Sequence, residues 1–421
     1  MPTFPDTEDW ENELVLSDNY TDYDYNTGSG ATSDNYMVDD RGPSTHGSPT
    51  ITLENRNSDD DTLLSWNQTA YILVNFQEPV TTNFYSDNAT PLDSFSSLVS
   101  AGDINLDNAT GTIISQMSPY PSDNKTIWRG IFRPTNNMEV DNNTITLDAS
   151  WYDQVGNPGT SVTTSNFEVE TLRPSASSLT FSVTQGTTYN GSPYSGTDAL
   201  KPGDNATLTV VFSDPVVSFS SADISHPNVD LDNMTSSDNI TWTGTFTPTN
   251  NVQLSHQRLT LNTSYNDIKG NPGIAKDSSY YLVDTRAPSV ESLQFTRGST
   301  VLTLPFTDRC LPVTGNIIVN FDYYYMEPSY ITTTTSDTNC AGSIQVSSDN
   351  FNSCVAMTED PAASNHDGIR NKKFILDPAE NLDNFTTYKV RVKSGNTGVK
   401  DALENLMTSD YTHANEFRTS N

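Results

Sequence analysis

The sequence predicts an all-β chain: three β-sandwiches in a row, preceded by an acidic, Tyr-rich extended segment. Three observations carry this expectation. One block is written twice, short runs of alternating apolar residues recur along the chain, and the composition favours turns over helices. Of 421 residues only 34% are hydrophobic and 18% charged. Ser, Thr, Asn and Asp fill the gap; their side chains compete with helical hydrogen bonds and suit wet strand faces and turns.

The first element, residues 1–47, stands apart. It carries eleven Asp/Glu against one basic residue, Arg41, and few aliphatic side chains, so it lacks the apolar surface to fold alone. Leu14, Leu16, Tyr20, Tyr23, Tyr25 and Tyr36 give it contact area, which makes it either an assembly arm or a plain tail.

From residue 48 onward, strands begin. In "TAYILVNF" Ala70, Ile72, Val74 and Phe76 share one face; Leu208, Val210 and Phe212 do so in "NATLTVVF", and Ile317, Val319 and Phe321 in "NIIVNF". The doubled block follows the first two runs: "WRGIFRPTNNMEVDNNTITLDASWYDQVGNPG" at 128–159 and "WTGTFTPTNNVQLSHQRLTLNTSYNDIKGNPG" at 242–273, 114 positions apart with no insertion. Ile145, Leu147, Ala149 and Trp151 keep step with Leu259, Leu261, Thr263 and Tyr265, the pattern of a one-sided core strand. "GNPG" then reads as a tight turn. Both copies leave through a short linker, "VETLRPS" at 169–175 and "VDTRAPS" at 283–289. The stretch from Pro79 to Pro134 is 22 residues longer than that from Pro215 to Pro248, and the surplus is placed in the loop around "NFYSDNATPLDSFSSL". The predicted domains are therefore 48–174, 175–288 and a more divergent 289–421. In the last, Tyr388, Val390 and Val392 alternate as a strand, and Cys340 and Cys354 bracket a strand and turn that a disulfide would close. Cys310 is left over.

With those phrases laid out, residues 48–288 resemble tandem bacterial Ig-like domains. The family's phrases appear in order, twice: "FQEPV" and "FSDPV", "IWRGIFRP" and "TWTGTFTP", "DQVGN" and "DIKGN", "VETLRP" and "VDTRAP". Residues 289–421 resemble a related bacterial Ig-like type through "NCAGSIQVSSDNFNSCV", "YKVRV", "VKDALENLM" and "FRT"; there "DALEN" lacks the Gly of D-x-x-G-N, so that turn is expected to differ. The resemblance implies seven- to nine-stranded Greek-key sandwiches, no catalytic activity, and a setting in surface proteins, adhesins, S-layer-like proteins or virion appendages.

The chemistry of the sequence agrees with a non-catalytic reading. A net charge of −32 repels nucleic acid, and no run of 18 apolar residues predicts a membrane helix. The start "MPTFPDTEDWENELVL" has neither the basic nor the apolar region of a secretory signal. None of the five histidines sits in a nucleophile motif, and no phosphate-cradling loop is present. Calcium is the most credible ligand, with Asp153 and Asp267 at the turns, Glu170 and Asp284 at the linkers, and Asp103 and Asp223 after the early loops as candidate oxygens, against the alternative of solvated or capping carboxylates. The expected function is an extracellular spacer, assembly subunit or binder. Its partners would be copies of itself, other surface proteins or glycans; the alternatives are a virion decoration and a filament subunit joined through the N-terminal segment.

Overall fold

The computed structural model describes residues 8–39, 49–76, 84–85, 91–92, 104–115, 117–122, 126–149, 151, 157–183, 187–189, 197–304, 311–322, 325–336, 339–366, 369–413 and 416–420. The chain is all-β: helical geometry among these residues is confined to two 3-10 turns, Ser221–Asp223 and Pro328–Tyr330. It divides into two compact units, Met1–Pro174 with Asn266–Gly273, and Ser175–Tyr265 with Ile274–Asn421.

In the first unit one sheet runs Gly111–Ile113, Ile127–Pro134, Ala70–Asn75, Thr50–Asn55, all antiparallel. Ala70, Ile72, Val74 and Phe76 are fully buried, the face that the alternation predicts. Two smaller sheets complete the sandwich: Glu139–Asn143, Phe167–Glu170 and Leu63–Ser65, and Ile104–Asn105, Thr146–Leu147 and Val162–Thr163. All contribute to one core, in which the Trp151 ring meets Phe76 edge-on at 4.8 Å. Such a ring pair adds roughly 0.5–1.5 kcal/mol beyond the area it buries.

The second unit holds two large cores. Ala176–Val183, Ala206–Phe212, Thr241–Pro248 and Val229–Leu231 form one sheet over the first of them. Here Phe212 meets Tyr265 at 4.8 Å, the counterpart of Phe76 on Trp151. The Gly of "WRGIF" and "WTGTF" has a packing reason: a Cβ on Gly130 would collide with the Met117 sulfur, and one on Gly244 with that of Met234. The second core lies under the five-stranded sheet Thr300–Thr303, Val290–Arg297, Ile317–Phe321, Ile369–Leu376, Ala363–His366.

Two expectations need revision and a third is extended. Ala149 and Thr263 are exposed rather than on the core face, because their strands, Thr146–Leu147 and Thr260–Leu261, last two residues. The chain then turns before Trp151 or Tyr265 re-enters the core. Ile317–Phe321 is buried along both faces, Ile318 and Asn320 included, as befits the central strand of its sheet. The N-terminal segment pairs with itself: Glu8–Asn12 with Tyr36–Asp39, and Val15–Leu16 with Ala31–Thr32, both antiparallel. Most of the loop with the 22 additional residues lies outside the described residues, as does Cys310; within that loop Phe84–Tyr85 pairs antiparallel with Pro91–Leu92.

Candidate functional site: an acidic cluster under the Asp267–Asn271 turn

The turn "DIKGN" is built by its own first side chain. Asp267 Oδ1 accepts from the Lys269 amide at 2.9 Å and the Asn271 amide at 2.8 Å, and Oδ2 accepts from Asn271 Nδ2 at 2.9 Å. The Asp267 amide returns a bond to the Asn271 carbonyl, and Gly270 takes the left-handed φ of +86° that closes the loop. An aspartate is needed first because only a carboxylate can accept three such bonds at once.

Within the first unit this turn covers the end of the Phe167–Glu170 strand. The Trp66 amide donates to Asn271 Oδ1 at 2.6 Å, Ser65 Oγ donates to the Lys269 carbonyl, and Lys269 Nζ reaches both oxygens of Glu168 at 2.8 and 2.9 Å. Arg173 donates to the carbonyls of Pro272 and Gly273 and lies over the Trp66 ring. Asn271, fully buried, also donates to Glu170 Oε1 at 3.4 Å.

Glu170 is the unusual group. It is 8% exposed, and its carboxyl is pushed up to about 7, first by burial and then by the charges of Glu139, Asp267 and Glu168. The bond from the Leu172 amide opposes the shift. Glu139 is its register partner across the strand pair, a like-charge pairing that costs free energy. The structure thus brings together two of the predicted calcium candidates, Glu170 and Asp267, bridged by an amide side chain.

A threonine clamp, missed in the sequence, sits beside this cluster and recurs in every large core. Thr171 Oγ1 donates to the carbonyls of Thr135 and Met138 and accepts from the Met138 amide. Thr285 does the same with Thr249 and Val252, and Thr419 with Asp383 and Thr386. The reach is 36 and 33 residues each time. The signal was present as the Thr of "VET", "VDT" and "FRT", which reads as filler unless its burial is known.

Comparison with known families places this framework. Residues 194–283 match one family model and residues 284–419 a second, each described as a bacterial Ig-like domain. Residues 194–419 are two bacterial Ig-like domains in tandem. Among solved structures, the crystal structure of invasin, a bacterial integrin-binding protein, aligns over 93% of this chain at 12% identity with a TM-score of 0.23. The chain spans 63% of that structure's length. A search of curated proteins gives no match.

The second of these Ig-like domains corrects one expectation. "DALEN" was expected to fold differently from D-x-x-G-N, yet Asp401 Oδ1 accepts from the amides of Leu403 and Asn405, and Oδ2 from Asn405 Nδ2. The turn is the same, and Glu404 takes the glycine's place at φ 65°. A left-handed φ costs an L-residue about 1–2 kcal/mol. Glu404→Gly is therefore expected to stabilise this domain by about 0.5–1 kcal/mol, net of the extra freedom glycine gives the unfolded chain. The midpoint of urea unfolding measures it; a loss would mean that the bond from the Tyr330 hydroxyl to Glu404 outweighs the strain.

Of the remaining candidates, Asp223 has structural employment: it caps the Ser221–Asp223 turn and accepts from the Ser264 hydroxyl. Asp284 is buried, and its carbonyl accepts from Asn405 Nδ2 at 3.0 Å. Asp103 and Asp153 lie outside the described residues. Among the described residues no three His, Cys, Asp or Glu side chains converge as a metal site, and no helix is long and apolar enough to cross a membrane. Cys340 and Cys354 are joined by a disulfide. Leu14, Leu16, Tyr20, Tyr23, Tyr25 and Tyr36 are all exposed.

Proposed function

We propose that the chain is a non-catalytic surface protein in which tandem Ig-like modules, bounded near residues 48–174, 175–288 and 289–421, space and present a binding surface. The observation that carries this reading is the tandem itself. One fold recurs along the chain with its core and its threonine clamp kept, and with the Asp-anchored turn at Asp267 and Asp401, while the loops between strands differ. Two further features fit an extracellular setting: a disulfide, which persists in oxidising compartments, and a net charge of −32, which keeps an exposed protein soluble.

The test is adhesion. Beads coated with the full chain should bind a cell layer or a glycan array saturably, with soluble chain as competitor. Turnover of peptide, ester or glycoside substrates by the purified chain would overturn the reading.

A further inference from the structure

The N-terminal segment matches the back half of an Ig-like domain. Set at a spacing of 245 residues, "LVLSDNYTDYDYNTGSGATSDNYMVDDRGPS" (14–44) lies without a gap on "LTLNTSYNDIKGNPGIAKDSSYYLVDTRAPS" (259–289). Leu14, Leu16, Tyr20, Asp22, Asn26, Gly28, Tyr36, Val38, Asp39, Arg41 and Pro43 are identical to their counterparts, so the match extends through the linker.

The backbone repeats it strand by strand. Glu8–Asn12 pairs with Tyr36–Asp39 as Gln253–Gln257 pairs with Tyr281–Asp284, with the same three register pairs and the same irregularity between the second and third. Val15–Leu16 pairs with Ala31–Thr32 as Thr260–Leu261 pairs with Lys276–Asp277. The first unit does likewise with Glu139–Asn143 and Phe167–Glu170.

Side chains follow. Asp22 anchors "DYDYN" with bonds from the amides of Asp24 and Asn26 and from Asn26 Nδ2, each 2.9 Å, and Tyr25 takes the glycine position at φ 66°. Ser33 Oγ accepts from the Leu14 amide as Ser278 Oγ does from Leu259. The Tyr20 hydroxyl donates to the Ser29 carbonyl as that of Tyr265 does to Ile274. A Cβ on Gly28 would collide with the Tyr20 ring, as one on Gly159 would with Trp151.

One thing is different: what covers the face. Leu259, Leu261, Tyr265 and Tyr281 are 0–1% exposed, whereas Leu14, Leu16, Tyr20 and Tyr36 are 66, 53, 45 and 41% exposed. The covering is done in the complete domain by Ala176–Val183, Ala206–Phe212 and Thr241–Pro248, through contacts such as Phe212 on Tyr265 and Phe181 on Tyr281.

We propose that residues 8–39 are the back half of a further Ig-like sandwich. The Leu14, Leu16, Tyr20 and Tyr36 face is then the seat of a front half of that sandwich, three alternating apolar strands of the kind that Ala176–Val183, Ala206–Phe212 and Thr241–Pro248 form in the complete domain. A second copy of the chain is the poorer occupant, because its own front-half strands are already committed to their cores. Tyr23 and Tyr25 stand where Ile268 and Gly270 stand and belong to the outward turn. The inference is independent of adhesion, since it concerns how the array is built.

The experiment supplies the missing half. Residues 175–252, which in the complete domain run directly into Gln253, are grafted ahead of Glu8 in the full chain, and amide exchange of Leu14–Tyr36 is compared with and without the graft. Protection should rise at least a hundredfold. Leu16→Asp in the grafted protein should abolish the gain while leaving the melting of residues 48–421 unchanged. A second graft, residues 48–138, which run into Glu139, guards against a misfit of loops. Failure of both grafts to protect the segment overturns the proposal. So does self-association of the ungrafted chain that Leu16→Asp abolishes, because the face would then belong to a second copy.

Discussion

Replacing Cys340 and Cys354 together by serine is expected to cost the third core about 3 kcal/mol, the chain-entropy value for a loop of this length. Melting of that core should fall by about 10 °C. The bond spans a sequence separation of 14, and what it encloses explains why the loss should not be confined to the loop. Ile344–Ser347 is buried along its whole length. Gln345, 1% exposed, donates to the Cys340 and Gly342 carbonyls and accepts from Arg391 at 2.9 and 2.6 Å. Arg391 in turn lies over the Phe351 ring at 4.1 Å. Opening the bracket releases a strand whose polar groups are satisfied inside it, and buried groups that lose partners cost more than the bond they made. Differential scanning calorimetry of the double variant, with the first unit's transition as internal reference, reads the effect. A shift under about 2 °C would show that packing alone holds the strand.

The gapless repeat made much of this fold readable. The core positions Ile72, Leu147, Leu208 and Leu261 could be named because a one-sided strand must repeat every second residue. The turns could be named because Gly and Asn mark left-handed backbone. Where the reading failed, identity and conformation had parted. "DALEN" and "DYDYN" make the turn with Glu404 and Tyr25 at positive φ, so a search for the glycine passes both by. The segment 8–39 was hidden by its acidic residues: its strand Glu8–Asn12 is "EDWEN" where the complete domain has "QLSHQ". Pairing there is carried by the backbone, which composition does not record. Of the candidate site, the carboxylates were legible but their grouping was not. Glu170 and Asp267 are 97 residues apart in sequence, and nothing local says that an asparagine side chain will hold both.

That grouping has a consequence for pH. Glu170 ionises at about 7 in the folded chain, against an ordinary value of 4.5. Folding therefore favours its proton. Below about pH 4.5 the group is protonated in both states and the fold bears no cost from its charge. As pH rises from there towards 7, the unfolded chain releases the proton first and the first unit loses stability. Above about 7 the cost is fully in place and the curve flattens. The size follows from roughly 1.4 kcal/mol per pH unit of displacement, up to about 3 kcal/mol in all. Glu139, Glu168 and Asp267 surround the carboxyl with like charge, and Lys269 is paired first with Glu168. Glu170→Gln keeps an acceptor for the Leu172 amide and for Asn271 Nδ2 and removes the charge. It is expected to leave stability at pH 5 nearly unchanged, to raise it by about 2–3 kcal/mol at pH 8, and to flatten the slope between. Urea midpoints of the first unit at pH 5, 6, 7 and 8 decide the matter: an unaltered slope in the variant would mean that some other group titrates there and that Glu170 is charged throughout.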